Sequence, residues 1–136
     1  MELYELIGKN FTKEEQKESL QLEAVRNNRS AIKYIKNPSE QVQLEAIRNG
    51  ADIKYIEEPF EKVQLEAIRK NACAIKNIKN PSENVQLEAV RNNGCVIYYI
   101  NNPSEIVQLE AVRNNRNAIK YIDNPSERVQ LEGRSH

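Results

Sequence analysis

The sequence is poor in the residues on which most catalytic and metal sites depend. It has two cysteines and one histidine, and that histidine is the final residue, His136. No glycine-rich phosphate loop occurs, and no serine or cysteine has an evident base nearby. Catalysis generally needs converging groups with tuned pKa values. We therefore predict that the protein is not an enzyme and that it holds no metal and no cofactor.

An excess of charge of one sign and long apolar runs are also missing. Twenty lysines and arginines balance 20 aspartates and glutamates, so no net field draws the chain towards nucleic acid or an anionic membrane. No apolar stretch approaches the roughly 20 residues of a membrane span. Residues 1–5 lack the basic start and apolar core of a signal peptide. We expect a cytoplasmic protein with no membrane contact.

What the chain does have is a repeated motif. Residues 37–49 read Asn-Pro-Ser-Glu-Gln-Val-Gln-Leu-Glu-Ala-Ile-Arg-Asn, with near copies at 80–92 and 102–114 and a looser copy at 58–69. Self-similarity at a short fixed period is typical of solenoids. The shared leucine recurs every 21 or 22 residues, at Leu22, Leu44, Leu65, Leu87, Leu109 and Leu131.

The repeats predict one repeat domain over residues 1–132. Residues 1–11 are interpreted as an N-terminal cap over the first repeat, and residues 133–136 as the remnant of a polyhistidine tag. Repeats begin near residues 12, 37, 58, 80, 102 and 124.

Each repeat should begin with a capped α-helix. Asn is a favoured N-cap, Pro is tolerated at the first helical position, and Glu at the third position completes a capping box. The third repeat departs from this pattern with Glu58-Pro59-Phe60-Glu61, so we expect a weaker cap there. The predicted N-caps are Asn37, Asn80, Asn102 and Asn124. Asn and Gly at the helix ends predict left-handed turns.

The first helix of a repeat is apolar over a wide arc. At about 100° per residue, Val42, Ala46, Ile47 and Leu44 span roughly 200° of the helical wheel, which suits a helix between two neighbours. A glutamine falls in the middle of that arc, and a buried amide must find partners. We predict that these glutamines are structural and bond turn backbones or stack as a ladder: Gln43, Gln64, Gln86 and Gln108.

Two features outside this arc complete the repeat. Glu45 and Arg48 predict a solvated face of Glu/Arg pairs three residues apart. The second segment, such as residues 31–35, has isoleucines three apart, which suits one turn of α- or 3₁₀ helix. Cys73 and Cys95 occupy the same place in successive repeats. Stacked helices lie about 8–10 Å apart, beyond the Cα separation of about 7 Å that a disulfide tolerates, so both thiols should be free.

The Asn-Pro-Ser-Glu turn, the Val-x-Leu-x-Ala-Val/Ile-Arg helix and the short second segment resemble the leucine-rich repeat variant, a bacterial solenoid family. The resemblance covers about residues 12–132. It implies an all-α, right-handed α-solenoid of about 22-residue repeats, in which an α-helix alternates with a short α- or 3₁₀ helix, related to HEAT and armadillo folds. The chain is also similar to uncharacterised bacterial and phage repeat proteins rich in Ala-Ile-Lys-Tyr segments. Neither resemblance supplies a catalytic residue.

The second segments carry the candidate binding surface. Interleaved lysines and tyrosines can contact phosphates and stack on bases or on partner side chains; alternatively, each tyrosine covers neighbouring isoleucines while each lysine keeps the surface hydrated. We expect a scaffold for an unidentified protein partner, with nucleic-acid binding as the alternative. The candidate residues are Lys33, Tyr34, Lys54, Tyr55, Lys76, Tyr98, Tyr99, Lys120 and Tyr121.

A second interaction is expected at the C-terminal end. Residues 124–132 begin a sixth helix that has no second segment after it, and Ile106 stands where other repeats carry polar residues. A solenoid end without a polar cap tends to stack on another copy. The pattern predicts weak self-association there.

Overall fold

The computed structural model describes residues 13–134, in which every regular element is a helix. The predicted all-α class is confirmed. The expected N-terminal cap over residues 1–11 lies outside the described residues, as do Ser135 and His136.

The described chain alternates α-helices with short 3₁₀ helices. The α-helices are α1 Lys13–Asn27, α2 Glu40–Arg48, α3 Glu61–Lys70, α4 Glu83–Asn92, α5 Glu105–Asn114 and α6 Glu127–Arg134. The 3₁₀ helices are η1 Arg29–Tyr34, η2 Ile53–Tyr55, η3 Ala72–Asn77, η4 Gly94–Tyr99 and η5 Arg116–Tyr121.

The chain divides into two compact units, Met1–Val63 and Gln64–His136. In the first unit α1 packs on α2, and η1 contacts both helices. In the second unit α4, α5 and α6 pack in order, and η3, η4 and η5 pack in order beside them. Successive helices are therefore neighbours within each unit.

A valine marks the core side of each α-helix from α2 onwards. Its side chain is inaccessible to solvent in all five helices. Buried isoleucines of the 3₁₀ segments, such as Ile32 and Ile53 in the first unit and Ile75 and Ile97 in the second, complete the core. The five valines are Val42, Val63, Val85, Val107 and Val129.

The helices begin two residues later than the N-cap prediction placed them. Ser39 caps α2, its Oγ accepting from the Val42 N–H at 3.3 Å, and Glu40 is the first helical residue. The prediction that Asn37, Asn80, Asn102 and Asn124 are N-caps is wrong: their φ angles are 48–50°, in the left-handed region. Glutamate consequently stands at the first rather than the third helical position, where it still favours the positive helix end. Serines 82, 104 and 126 cap α4, α5 and α6 in the same way.

The asparagines at the ends of the α-helices are extended rather than left-handed, which corrects a second prediction. Asn28, Asn71, Asn93 and Asn115 have φ between −158° and −151°. Each accepts with its side-chain oxygen from the N–H two residues on and so caps the following 3₁₀ helix. Only Gly50, at φ 99°, adopts the expected left-handed conformation among these residues.

A second set of asparagines, each at the C-terminal end of an α-helix, links that helix to the preceding α-helix. Asn49 Nδ2 donates to Val25 O at 2.8 Å, Asn92 to Ile68 O at 3.3 Å and Asn114 to Arg91 O at 2.9 Å. Each bond satisfies a carbonyl in the last turn of the preceding α-helix, a group with no partner inside that helix. These hydrogen bonds agree with a conformational role for the asparagines.

The recurrent glutamine bonds turn backbones, as one of the two alternatives predicted. Gln43 is 3% exposed; its Nε2 donates to Pro38 O at 3.1 Å and its Oε1 accepts from Phe60 N at 3.1 Å. Gln86 and Gln108 donate to Pro81 O and Pro103 O at 2.9 and 3.0 Å. Gln86 was expected to be buried, but it is half-buried, so that expectation is wrong in degree. Gln64 is half-buried as well.

Most ion pairs of the described residues join successive α-helices. Arg26 contacts Glu45 at 2.9 Å, Arg69 contacts Glu88 at 3.1 Å and Arg91 contacts Glu110 at 3.5 Å. The expected pairing three residues apart is found for Arg113 and Glu110, at 3.6 Å. Arg113 also bonds Glu132, and this hydrogen bond raises the pKa of the guanidinium.

No helix between residues 13 and 134 is long and apolar enough to cross a membrane.

Candidate functional site

In the first unit the predicted lysines and tyrosines meet on η1 and η2. Lys33 Nζ lies 5.3 Å from the centroid of the Tyr34 ring and 5.4 Å from that of Tyr55. Lys54 Nζ lies 5.3 Å from the Tyr55 ring. These distances are within the range of a cation–π interaction, about 6 Å. The structure thus brings all four candidate residues of this unit together.

In the second unit the aromatic residues form a cluster of their own. Tyr98 contacts Tyr99 and Tyr121 edge to face, with ring centroids 5.2 and 5.4 Å apart. Lys120 Nζ lies 5.2 Å from the Tyr121 ring. Lys76 is exposed on η3, where Asn77 follows it in place of a tyrosine. Tyr98 stands at the position where the other 3₁₀ helices carry a lysine, and this substitution creates the aromatic cluster.

Every tyrosine on these 3₁₀ helices is exposed to solvent. Tyr34 is the extreme case, with 80% of its surface accessible, and Tyr55, Tyr98, Tyr99 and Tyr121 are exposed as well. The interaction of a lysine with a ring orients both side chains but leaves ring surface open. The arrangement therefore presents aromatic area that a partner can cover.

A groove of about 770 Å³ opens beside this cluster in the first unit. Two segments contribute to its lining: Tyr34 and Lys36 belong to the segment that leads into α2, and Glu57, Glu58 and Phe60 belong to the segment that leads into α3. The buried Gln43 holds the two turns in register, because its amide bonds Pro38 O, Glu58 O and Phe60 N.

The departure of the third repeat at Glu58 and Phe60 was visible in the sequence, but it was interpreted only as a weaker helix cap, and Glu57 was not singled out. Glu57, Glu58 and Phe60 replace Lys36, Asn37 and Ser39 of the preceding repeat. In the structure Phe60 is 47% exposed and lines the groove. The sequence does contain a signal for the groove, because three substitutions at otherwise regular positions fall within residues 57–60.

The groove also carries charged side chains that stand outside the ion pairs of the described residues. Within the described range, neither the Glu57 nor the Glu58 carboxylate takes part in an ion pair, and neither does the ammonium group of Lys36. By contrast Glu45, Glu88 and Glu110 on the α-helices all contact arginines. Charges of both signs are therefore available to a molecule in the groove.

Other chemistry is sparse in the part of the chain that the structure describes. No group of three or more His, Cys, Asp or Glu side chains there is arranged to hold a metal ion. Cys73 and Cys95 are both free and half-buried, in agreement with the predicted free thiols.

No protein-family model matches the chain, and comparisons with curated proteins and with solved structures found no significant match. The resemblance to the leucine-rich repeat variant stays a prediction.

Proposed function

We propose that the chain is a cytoplasmic, non-enzymatic repeat scaffold that binds another protein through its Lys/Tyr surface. This surface comprises the exposed lysines and tyrosines of the 3₁₀ helices: Lys33, Tyr34, Lys54, Tyr55, Lys76, Tyr98, Tyr99, Lys120 and Tyr121. The finer architecture proposed with it is a right-handed α-solenoid of about 22-residue repeats, similar to the leucine-rich repeat variant.

The observation that carries this proposal is the exposure of tyrosine on four of the five 3₁₀ helices between residues 13 and 134. Tyrosine is enriched at protein interfaces because its ring buries a large apolar area while its hydroxyl still finds hydrogen bonds. It is also common among the residues whose truncation costs most binding energy. Repeat proteins typically bind through such extended, repeated surfaces.

The second candidate function is binding of single-stranded nucleic acid. The ammonium groups 5.2–5.4 Å from the tyrosine rings favour it, since lysine contacts phosphate and aromatic rings stack on bases. Against it, the net charge of the chain is zero, and Glu57 and Glu58 lie on the groove beside Tyr34 and Tyr55. The balance of charge supports a protein partner.

Affinity capture with tyrosine variants tests the proposal. The immobilised chain should retain a specific protein from a lysate of the source cells, and Tyr34→Ala combined with Tyr99→Ala should abolish retention. Lys17→Ala, an exposed substitution on α1, is the control and should retain the protein. Equal retention by all three chains contradicts the proposed surface. Binding to heparin or single-stranded DNA at about 0.15 M salt favours the second function, since such binding normally weakens steeply with salt.

A further inference from the structure

We propose that the groove of the first unit is a docking site for an extended segment of a partner protein, one that places an apolar side chain between a basic and an acidic residue. This inference rests on the proposed protein-binding function and names the chemistry of the segment. We call the two segments that line the groove its walls: Tyr34 and Lys36 belong to the first wall, and Glu57, Glu58 and Phe60 belong to the second.

In the second wall an exposed phenylalanine, Phe60, replaces the serine that caps the helix in other repeats. At the corresponding positions, Ser39, Ser82, Ser104 and Ser126 cap their helices through a hydrogen bond to the N–H three residues on. Phe60 has no side-chain acceptor, so α3 lacks this cap, and the ring is left half accessible. Departures from local rules of folding concentrate at functional sites.

The size of the groove and its aromatic lining also suit an extended peptide segment. Its volume, about 770 Å³, lies within the usual range for binding clefts. Exposed rings such as Tyr34 and Phe60 can pack against an apolar or proline side chain, as in other grooves that take extended peptides. Because Gln43 bonds backbone atoms of both turns, the groove is held in shape before a segment enters.

The charges of the two walls also favour a peptide segment over a nucleic acid. Glu57 and Glu58 carry adjacent carboxylates on one wall, whereas Lys36 carries an ammonium group on the other. A segment with a basic residue beside the carboxylates and an acidic residue beside Lys36 satisfies both walls. A nucleic acid strand brings negative charge to Glu57 and Glu58 and is disfavoured there.

Two variants that return the groove to the pattern of the other repeats test the site without removing a helix cap or a core side chain. Phe60→Ser installs the serine found at the corresponding position of four repeats. Glu57→Lys combined with Glu58→Asn introduces the lysine and asparagine found at the corresponding positions of the preceding repeat, Lys36 and Asn37. Both variants should fold, because the same residues already occupy equivalent turns. Ile106→Gln is the control, since it removes an exposed apolar side chain of the second unit that does not line the groove.

The probe is a random 12-residue peptide library displayed on phage and selected against the whole chain. We expect the enriched peptides to carry an apolar residue flanked by a basic and an acidic residue. Resynthesised with a fluorescent label, they should bind at least about 10-fold more weakly to either groove variant, with unchanged binding to Ile106→Gln. Raising the salt concentration should weaken binding to the wild-type chain.

Four outcomes overturn the proposal. Failure to enrich any peptide excludes an extended segment as the occupant, while the capture experiment with tyrosine variants still decides the protein-binding function. Peptides that lose affinity with Tyr99→Ala but not with the groove variants support that function and exclude this groove. Enriched peptides lacking the paired charges contradict the stated chemistry. Tighter binding of a labelled oligothymidine than of any peptide, strengthened by Glu57→Lys with Glu58→Asn, identifies a nucleic-acid site instead.

Discussion

At the residue scale, the amide side chains of this protein mainly serve its backbone. Asn49, Asn92 and Asn114 satisfy carbonyls of the preceding α-helix, and Gln43 satisfies backbone groups of two turns. In each case the amide replaces water as the partner of a peptide group. The regular recurrence of these polar residues in the sequence thus follows from the geometry of the turns rather than from recognition.

The glutamines should differ in their contribution to stability. Gln43→Ala leaves a 3% exposed site with unsatisfied backbone groups, and we expect a loss of about 2–3 kcal/mol. Gln86→Ala removes the hydrogen bond to Pro81 O at a half-buried site that water can reach; we expect a loss of about 1 kcal/mol. Urea denaturation of the two variants measures both values. Equal losses would mean that burial does not set the cost.

Asn102 should be required for its backbone conformation. Its φ of 50° lies in the left-handed region, which costs other L-residues about 1–2 kcal/mol but glycine almost nothing. We expect Asn102→Ala to lose about 1–2 kcal/mol of unfolding free energy and Asn102→Gly to lose much less. The neighbouring Asn101→Ala is the control and should be near neutral. A loss with Gly as large as that with Ala would argue for a side-chain role.

At the element scale, the first residue of each helix could not be predicted from the sequence pattern alone. In Asn-Pro-Ser-Glu both Asn37 and Ser39 are good N-caps, and the proline between them is acceptable at the first helical position. The pattern therefore allows two registers two residues apart. In the structure Ser39 caps α2, and Asn37 instead adopts a left-handed conformation in the turn after η1.

The helix type and its core side were predictable, whereas the contacts between helices were not. The position of Val42 on the wheel correctly indicated burial, because the period of an α-helix is local information. Pairing of Arg26 with Glu45 instead of a residue three away depends on the approach of two helices. The groove could not be predicted for the same reason, because Tyr34 and Phe60, which both line it, are 26 residues apart in the sequence.

The missing cap of α3 can be measured directly at position 60. Phe60→Ala loses the half-buried ring, whereas Phe60→Ser loses the ring and gains an N-cap. We expect the serine variant to be more stable than the alanine variant by about 1 kcal/mol. Ser82→Ala, which removes the cap of α4, should cost a similar amount. Guanidinium denaturation midpoints with unchanged m-values test this; equal stability of the two Phe60 variants would show that α3 accepts no cap there.

At the scale of the whole molecule, charge is balanced and distributed. Arginines on the α-helices contact glutamates of neighbouring helices at exposed positions. Exposed pairs of this kind each contribute at most about 1 kcal/mol. Stability therefore rests on the buried valines and isoleucines, and the ion pairs mainly keep the α-helical surface polar. Among the residues that the structure describes, the 3₁₀ helices carry most of the exposed aromatic side chains, and this division supports their proposed role in recognition.

Weak self-association is the remaining prediction at this scale. Leu131 on α6 is 51% exposed and Ile106 on α5 is 54% exposed, so both offer apolar area at the surface of the second unit. Covering such area between two copies is favourable by about 25 cal/mol per Å² before the entropic cost of association is subtracted. We expect the mass from light scattering to rise over a hundredfold increase in concentration, and Leu131→Gln to reduce that rise. Since Tyr98→Ala also removes exposed area but leaves both residues in place, it should not reduce it. A monomeric mass at every concentration would show that these side chains mediate no self-association.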